Sequence, residues 1–157
     1  MTFTHTTFRK AINLFSLACM LAIIPLNAAE TNLDKNNLAI EGYDPVSYFS
    51  DQPAKGSKAI TATHSNATYY FNSEENRDTF VANPEKYIPA YGGWCAWAML
   101  EGDTVPIDPL NYKVIDGKNY LYYKGFWGDT RQKWNEKIEE TPEPELVSQA
   151  NTNWSTL

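Results

Sequence analysis

The alternation of apolar and polar residues predicts a β-hairpin in the first half of the chain. Residues 59–63 and 68–71 alternate in this way and include β-branched and aromatic side chains, which favour strands. Ser65-Asn66-Ala67 between them supplies the turn. A short apolar run at residues 38–40 predicts an additional edge strand ahead of this hairpin.

The same pattern predicts a second hairpin further along the chain. Residues 112–115 and 119–123 flank Asp116-Gly117, a dipeptide that favours a tight two-residue turn. Two prolines within residues 105–109 predict an extended linker ahead of this hairpin, because proline cannot donate to a strand ladder.

Short helices are predicted after the first hairpin. Asn72 and Glu75 have the three-residue spacing of a capping box, so a helix is expected to begin after Asn72. Its buried side is predicted to carry Phe80 and Val81. A proline at the first helical position favours a second helical turn over residues 84–87.

The C-terminal part is predicted to be helical. Trp134 and Ile138 fall on one face of a polar helix over residues 130–140. Prolines within residues 141–144 break it, and residues 146–154 predict a final helical piece. Together the elements predict a small α+β domain, with β-hairpins packed against short helices. The side chains expected to share one core are Phe71, Phe80, Tyr87 and Trp134.

The first 29 residues have the pattern of a secretory signal peptide. Arg9 and Lys10 precede an apolar run over residues 11–26, and small residues end the segment at Ala29. The expected domain therefore spans residues 30–157, is periplasmic or secreted, and retains no membrane span. Two alternatives are an anchor helix, for which the run falls short of the roughly 20 residues needed, and lipidation of Cys19.

Charge limits the class of partner. The chain has 13 basic and 19 acidic residues, and both basic residues of the signal segment would be removed by cleavage. The remaining domain carries a net charge of −8, which repels phosphate backbones. Nucleic acid is therefore not an expected partner, and a metal ion or a small ligand is.

The stretch from Tyr91 to Met99 carries the candidate metal chemistry. It contains Cys95, the one cysteine of residues 30–157, and Met99 four residues later, on the same face if the segment is helical. With His64 they would supply a thiolate, a thioether and an imidazole. Soft donors of this kind suit copper(I). The alternative is that both sulfur residues fill a core.

Aromatic residues around the same stretch suggest a different kind of site. Side chains of this type can line a pocket for a small ligand or a protein partner, although they also build ordinary cores. The residues predicted to line such a cleft are Tyr91, Trp94, Trp97, Tyr122 and Trp127.

Catalytic chemistry is less well supported by the sequence. A nucleophilic Cys95 would need a base within hydrogen-bond reach, and His64 is the one histidine of residues 30–157. Asp103, Asp108 and Asp116 stand near turns, where turn chemistry accounts for them. The expectation is a non-enzymatic protein.

Several motifs in order resemble the YHS domain family. They are Gly42-Tyr43-Asp44-Pro45-Val46, the run from Tyr69 to Arg77, Asn83-Pro84-Glu85-Lys86-Tyr87, and a tail from Tyr91-Gly92-Gly93 to Trp134. The tail is similar to the exported branch of the family. The resemblance implies a compact unit of β-hairpins and helices, and a relationship to metal-sensing TRASH modules.

The chain departs from the family at the metal ligands. Where the metal-binding members carry cysteines, this sequence has Ser47, Asn72 and Asn76. None of these supplies a thiolate, so no structural zinc is expected. The resulting hypothesis is an exported metal-handling protein, most plausibly for copper, with a small-ligand or protein-binding cleft as the alternative.

Overall fold

Hairpins and short helices alternate along the chain, which confirms the predicted α+β class. The computed structural model describes residues 30–157, and the predicted signal peptide lies outside the described residues. In chain order the strands and helices are β1 (Ser57–His64), β2 (Ala67–Phe71), α1 (Glu74–Ala82), α2 (Pro84–Tyr87), β3 (Asp108–Ile115), β4 (Lys118–Tyr122), β5 (Lys124–Gly125), β6 (Gly128–Asp129), α3 (Thr130–Lys137) and α4 (Glu143–Trp154). Short 3-10 turns cover Ile40–Gly42, Ser47–Ser50, Ala90–Gly93 and Ala98–Glu101.

Both predicted hairpins are present, and their turns explain why. Ser65 and Asn66 have φ values of 46° and 66°, and Asp116 and Gly117 have 49° and 75°. Positive φ at both central residues defines the turn that matches the twist of paired strands. Ala67, predicted in the first turn, instead begins β2 and pairs with His64.

The hairpins remain separate sheets. Within residues 30–157, β1 pairs with β2, β3 with β4 and β5 with β6, each as a two-stranded antiparallel ladder. Side chains rather than strand pairing therefore hold the hairpins together. The β5–β6 hairpin was not predicted, because two-residue strands are too short to show a period.

Two aromatic cores fill the space between these elements. The first contains Phe71, Phe80 and Tyr87, and the second contains Tyr122 and Trp134. All four residues expected in the core are buried. The expectation of one shared core is wrong for Trp134, because α3 packs it against β4 and α4 instead of against α1.

The predicted edge strand over residues 38–40 is wrong. Leu38 and Ala39 form only isolated bridges, to Thr68 and Leu33. Ile40 has a φ of 52°, which a β-strand does not allow, and it opens a 3-10 turn.

Helix α1 begins one residue later than predicted and faces differently. Ser73 is the N-cap, and its hydroxyl accepts a hydrogen bond from the amide of Asn76 at 3.1 Å. The Asn72 side-chain oxygen accepts from Asn76 Nδ2 at 3.1 Å and from no helix amide among the described residues, while its own amide donates to Asp44. Phe80 is buried as expected, but Val81 is 60% exposed because only one side of α1 meets the first hairpin.

The C-terminal helices are close to expectation. Helix α3 starts at Thr130 and buries Trp134, but it stops at Lys137, so half-buried Ile138 lies just beyond it. Helix α4 starts earlier than predicted, since Pro144 occupies its first turn. No helix of residues 30–157 is long and apolar enough to cross a membrane.

Candidate functional site

A cavity of about 370 Å³ opens between the first hairpin, β4 and α4. Its walls come from distant parts of the sequence: the β1–β2 turn, the segment after α2, strand β4 and the last turns of α4. The aromatic side chains that line it are Tyr69, Tyr91, Tyr120 and Trp154.

Charged and polar groups gather at one side of the cavity. His64 Nε2 lies 2.9 Å from Glu85 Oε1, and Lys118 Nζ donates to the backbone carbonyl of Glu85 at 2.9 Å. Burial lowers the pKa of Lys118, and the nearby Glu85 carboxylate partly opposes that shift. This side therefore holds an imidazole paired with a carboxylate, and a half-buried amine bonded to the backbone of the same glutamate.

The aromatic wall is held rigidly. Tyr91 packs edge-to-face with Tyr120 and Trp154, at centroid distances of 5.7 and 6.2 Å. The Tyr91 hydroxyl donates to Asn151 Oδ1 at 3.1 Å, which ties the wall to α4. Burial raises the pKa of Tyr91 and of Tyr120. Both hydroxyls therefore stay protonated at neutral pH.

Gly92 lets the start of the described chain close over the cavity. It has a φ of 58°, and a Cβ there would lie 3.1 Å from Thr31 Cα and 3.2 Å from Trp154 Cη2. The amide of Asn32 donates to the Gly92 carbonyl at 2.9 Å, which fixes the segment in place. Only glycine combines this backbone conformation with so close an approach.

The structure does not bring the five predicted cleft residues together. Tyr91 lines the cavity, and Tyr122 is fully buried against Trp134 in the second core. Trp94 donates its indole N–H to the carbonyl of Glu30 at 2.6 Å. The other two lie elsewhere: Trp97 beside the charged face of α3, and Trp127, 77% exposed, at the tip of the β5–β6 hairpin.

The lining residues that sequence analysis missed come from segments far apart in the chain. Lys118 and Tyr120 alternate along β4, so the period of the strand already placed them on one face. Asn151 and Trp154 are three residues apart on α4, which also gives a shared face. No local pattern, however, indicates that these two faces meet.

Cys95 is enclosed in a hydrogen-bonded network of its own. Its sulfur lies 3.3 Å from Thr130 Oγ1 and accepts from the amide of Tyr123 at 3.4 Å. The Thr130 hydroxyl donates to the Tyr123 carbonyl at 3.0 Å, so the thiol is left to donate to Thr130. The thiol is therefore surrounded by hydrogen-bonding partners in the core and does not line the cavity.

The three predicted metal ligands do not share one site. Met99 follows Cys95 by one turn, and its amide donates to the Cys95 carbonyl at 3.1 Å. Both sulfur residues are fully buried, whereas His64 lines the cavity, which neither of them lines. Within residues 30–157, no cluster of three or more His, Cys, Asp or Glu side chains could hold a metal ion.

The positions that resemble the family's ligand sites converge around a buried carboxylate. Asp44 is fully buried, and Oδ2 accepts from the Asn72 amide at 3.0 Å and from Asn76 Nδ2 at 2.8 Å. Oδ1 accepts from the amide of Val46 at 2.8 Å. The Ser47 hydroxyl donates to the Asp44 carbonyl at 2.6 Å. Hydrogen bonds therefore join Ser47, Asn72 and Asn76 through this one residue.

Comparison with known proteins gives no family. No protein-family model, curated protein or solved structure matches the chain. The resemblance to YHS domains therefore rests on the residues themselves, and the site has to be interpreted from its own geometry.

Proposed function

We propose that this chain is an exported, non-enzymatic binding module that holds a small ligand in the cavity between the first hairpin, β4 and α4. The observation that carries the proposal is the cavity itself. Its volume of about 370 Å³ falls within the range of small-molecule pockets. It also combines an aromatic wall with a few convergent polar groups, the composition typical of such pockets.

The chemistry of the lining supports binding rather than catalysis. Cys95, the nucleophile considered from the sequence, does not line the cavity, and its thiol is held by Thr130 and Tyr123. His64 is hydrogen-bonded to Glu85. Among the described residues it makes no hydrogen bond to a serine, cysteine or threonine that it could activate as a base. A covalent mechanism needs a nucleophile in contact with its base.

Export and family membership belong to the same proposal. The charged, apolar and small-residue zones of residues 1–29 support export. The YHS resemblance is supported by the bonds to Asp44, which bring Asn72 and Asn76 to the distant segment that carries Ser47. In this interpretation a hydrogen-bonded carboxylate replaces the cysteine ligands of the metal-binding relatives.

Copper(I) handling is a second candidate, favoured by one observation. The Met99 amide donates to the Cys95 carbonyl at 3.1 Å, which brings the backbones of two soft-donor residues together, but Cys95 packs in the first core and Met99 in the second. His64 is not part of that pair. The candidate is weaker because the Cys95 sulfur is already engaged.

Calorimetric titration with small aromatic probes tests the cavity. Benzoate, benzamide, benzylammonium and indole would each be titrated at roughly millimolar concentration. At least one is expected to bind, and Ala90→Leu, which adds bulk to the lining, should weaken that binding about tenfold or more.

Controls keep this test interpretable. Ala59→Leu makes the same change at an exposed position of β1 and should leave affinity unchanged. Thr31→Trp fills the cavity from the terminal segment without disturbing either core, so it serves if Ala90→Leu unfolds. Binding of no probe, or equal affinity of the cavity-filling variants and the wild type, would contradict the proposal.

A further inference from the structure

We propose that the ligand of this cavity is a small aromatic carboxylate, with its ring against the aromatic wall and its carboxylate on Lys118. The inference rests on the proposed function and adds the chemical class of the ligand. Two features carry it: the N–H groups of Lys118 that remain available for an acceptor, and the position of this ammonium in the same lining as the aromatic wall.

Lys118 has N–H groups that are still available to a ligand. An ammonium group carries three N–H bonds and accepts none. One of these N–H bonds donates to the Glu85 carbonyl at 2.9 Å, and it is the one hydrogen bond that Lys118 Nζ makes with the described residues. Lys118 is half-buried and lines the cavity, and its hydrogen bond to Glu85 is exposed, so a ligand acceptor there would replace water on the remaining N–H groups. A charged acceptor makes the stronger bond with an ammonium.

Tyrosine hydroxyls add further donors to the same lining. Tyr69 and Tyr120 both line the cavity and are buried along most of their rings. Burial, with a smaller contribution from Glu85, raises the pKa of Tyr69 to about 12. The hydroxyl therefore remains a donor at any physiological pH. A ligand acceptor can take hydrogen bonds from these hydroxyls, and the same hydroxyl oxygens can accept from a ligand donor, so the preference for an anion rests on Lys118.

The one carboxylate of the lining is already engaged. Glu85 Oε1 lies 2.9 Å from His64 Nε2, and the Glu85 side chain is 72% exposed and so faces water. It is therefore screened from the cavity more strongly than Lys118 is. The formal charges of Lys118 and Glu85 cancel, so the preference for an anion depends on direct contact with the Lys118 ammonium.

An organic cation is the main competitor, because aromatic walls attract ammonium groups through their ring faces. Lys118 opposes that alternative. Its own ammonium stands in the same lining, and two like charges in a half-buried site repel each other. The ring of an aromatic acid gains the same contacts with Tyr91, Tyr120 and Trp154 without this repulsion.

Three probes of nearly equal size and different charge test the inference. Benzoate, benzamide and benzylammonium share the ring and differ in the head group. Calorimetry of the wild-type domain should give benzoate about tenfold tighter affinity than benzamide, with benzylammonium weakest. Lys118→Met should abolish the preference of benzoate over benzamide. Lys58→Met removes a lysine from the exposed part of β1 and should preserve it.

The outcomes separate this inference from the function on which it rests. Equal affinity for benzoate and benzamide, or tighter binding of benzylammonium, would overturn the ligand class while the cavity still binds. Binding of none of the three would overturn the ligand class, and it would overturn the proposed function as well if indole also fails to bind. If Lys118→Met unfolds, Lys118→Gln gives the same neutral site with a donor retained, and it too should remove the preference. A preference that survives in that variant would overturn the role of Lys118.

Discussion

Trp134 donates its indole N–H to Glu143 Oε1 at 2.8 Å, and this bond connects α3 to the first turn of α4. Lys113 of β3 forms an ion pair with the same oxygen. Burial alone would raise the pKa of Glu143, but the bonds from Lys113 and Trp134 outweigh it and hold the pKa below its ordinary value of 4.5. One carboxylate thus joins the second hairpin to both C-terminal helices.

We expect Glu143→Gln to destabilise the domain by about 1 kcal/mol at pH 7, because the glutamine can still accept from Trp134 but loses the ion pair with Lys113. The depressed pKa sets the pH dependence. The stabilisation that the Glu143 carboxylate contributes is fully present above pH 4.5, and it is lost as the pH falls through the lower pKa of the folded state. Urea unfolding at several pH values measures it.

Glu140→Gln is the matched control for that experiment. Glu140 pairs with Lys137 at 3.3 Å, but its side chain is 74% exposed. An exposed pair of this kind contributes little, so this variant should unfold with the wild type at pH 7. A difference between Glu143→Gln and wild type that stays constant down to pH 3 would contradict the linkage.

Asp44 should be among the side chains least tolerant of change. Asp44→Ala removes acceptors for three N–H groups and leaves them unpaired, so we expect a loss of about 3 kcal/mol in unfolding free energy. Asp78→Ala, at an acid whose side chain is 70% exposed, should change stability by less than about 0.5 kcal/mol. Equal losses in the two variants would show that the network around Asp44 is not structural.

Retention of the fold in a strong chelator is a separate expectation. Ser47, Asn72 and Asn76 supply no thiolate for zinc, and their hydrogen bonds already engage Asp44. Circular dichroism of the purified domain should therefore be the same with and without chelator. Unfolding on chelation would reveal a structural metal, because such a metal supplies folding energy.

Phe80→Ala should cost about 3–5 kcal/mol in unfolding free energy. Phe80 is 1% exposed and packs against Tyr69 and Phe71 at centroid distances of 4.8 and 5.2 Å, so its removal leaves a cavity. Val81→Ala, at the next residue of the same helix, should cost well under 1 kcal/mol because Val81 is 60% exposed. Reversed magnitudes would mean that α1 faces the other way.

Copper(I) titration separates the two candidate functions. If the cavity is the functional site, wild type and Cys95→Ser should bind copper(I) with equal affinity, since the thiol is held by Thr130 and Tyr123. A loss of at least about a hundredfold in Cys95→Ser, with a smaller loss in Met99→Leu, would instead support the sulfur pair. The loss should be larger for Cys95 because a thiolate is a charged soft ligand, whereas the thioether of Met99 is a neutral one.

The hairpins were predictable because their signals are local. Asp116-Gly117 and Ser65-Asn66 adopt the positive φ values that their residue types favour, and the flanking alternation then fixes the register. The start of α1 was predicted only to within a residue. Asn72 and Ser73 are both good caps, and in the fold the Ser73 hydroxyl is the one that accepts from the Asn76 amide.

The cavity could not be predicted because its walls meet only through tertiary packing. Proximity in sequence suggested that Trp94 and Trp97 would face the same space as Tyr91. In the fold, Trp94 bonds to Glu30 and Trp97 lies beside α3, while Trp154 from the far end of the chain takes the place beside Tyr91. Aromatic content indicated buried surface, but not which rings would leave a space between them.

The separation of the hairpins has a consequence for how the domain opens. A two-stranded ribbon on its own is only marginally stable in water, and no ladder passes from one hairpin to another within residues 30–157. In the described part of the chain the strand pairing of β2 and β4 stays within their own hairpins, so protection of their amide protons beyond that pairing comes from rings such as Phe80 and Trp134 and not from a third strand. Loss of one such ring should release the amides of its own hairpin first, so hydrogen exchange in this domain reports on the cores rather than on the sheets.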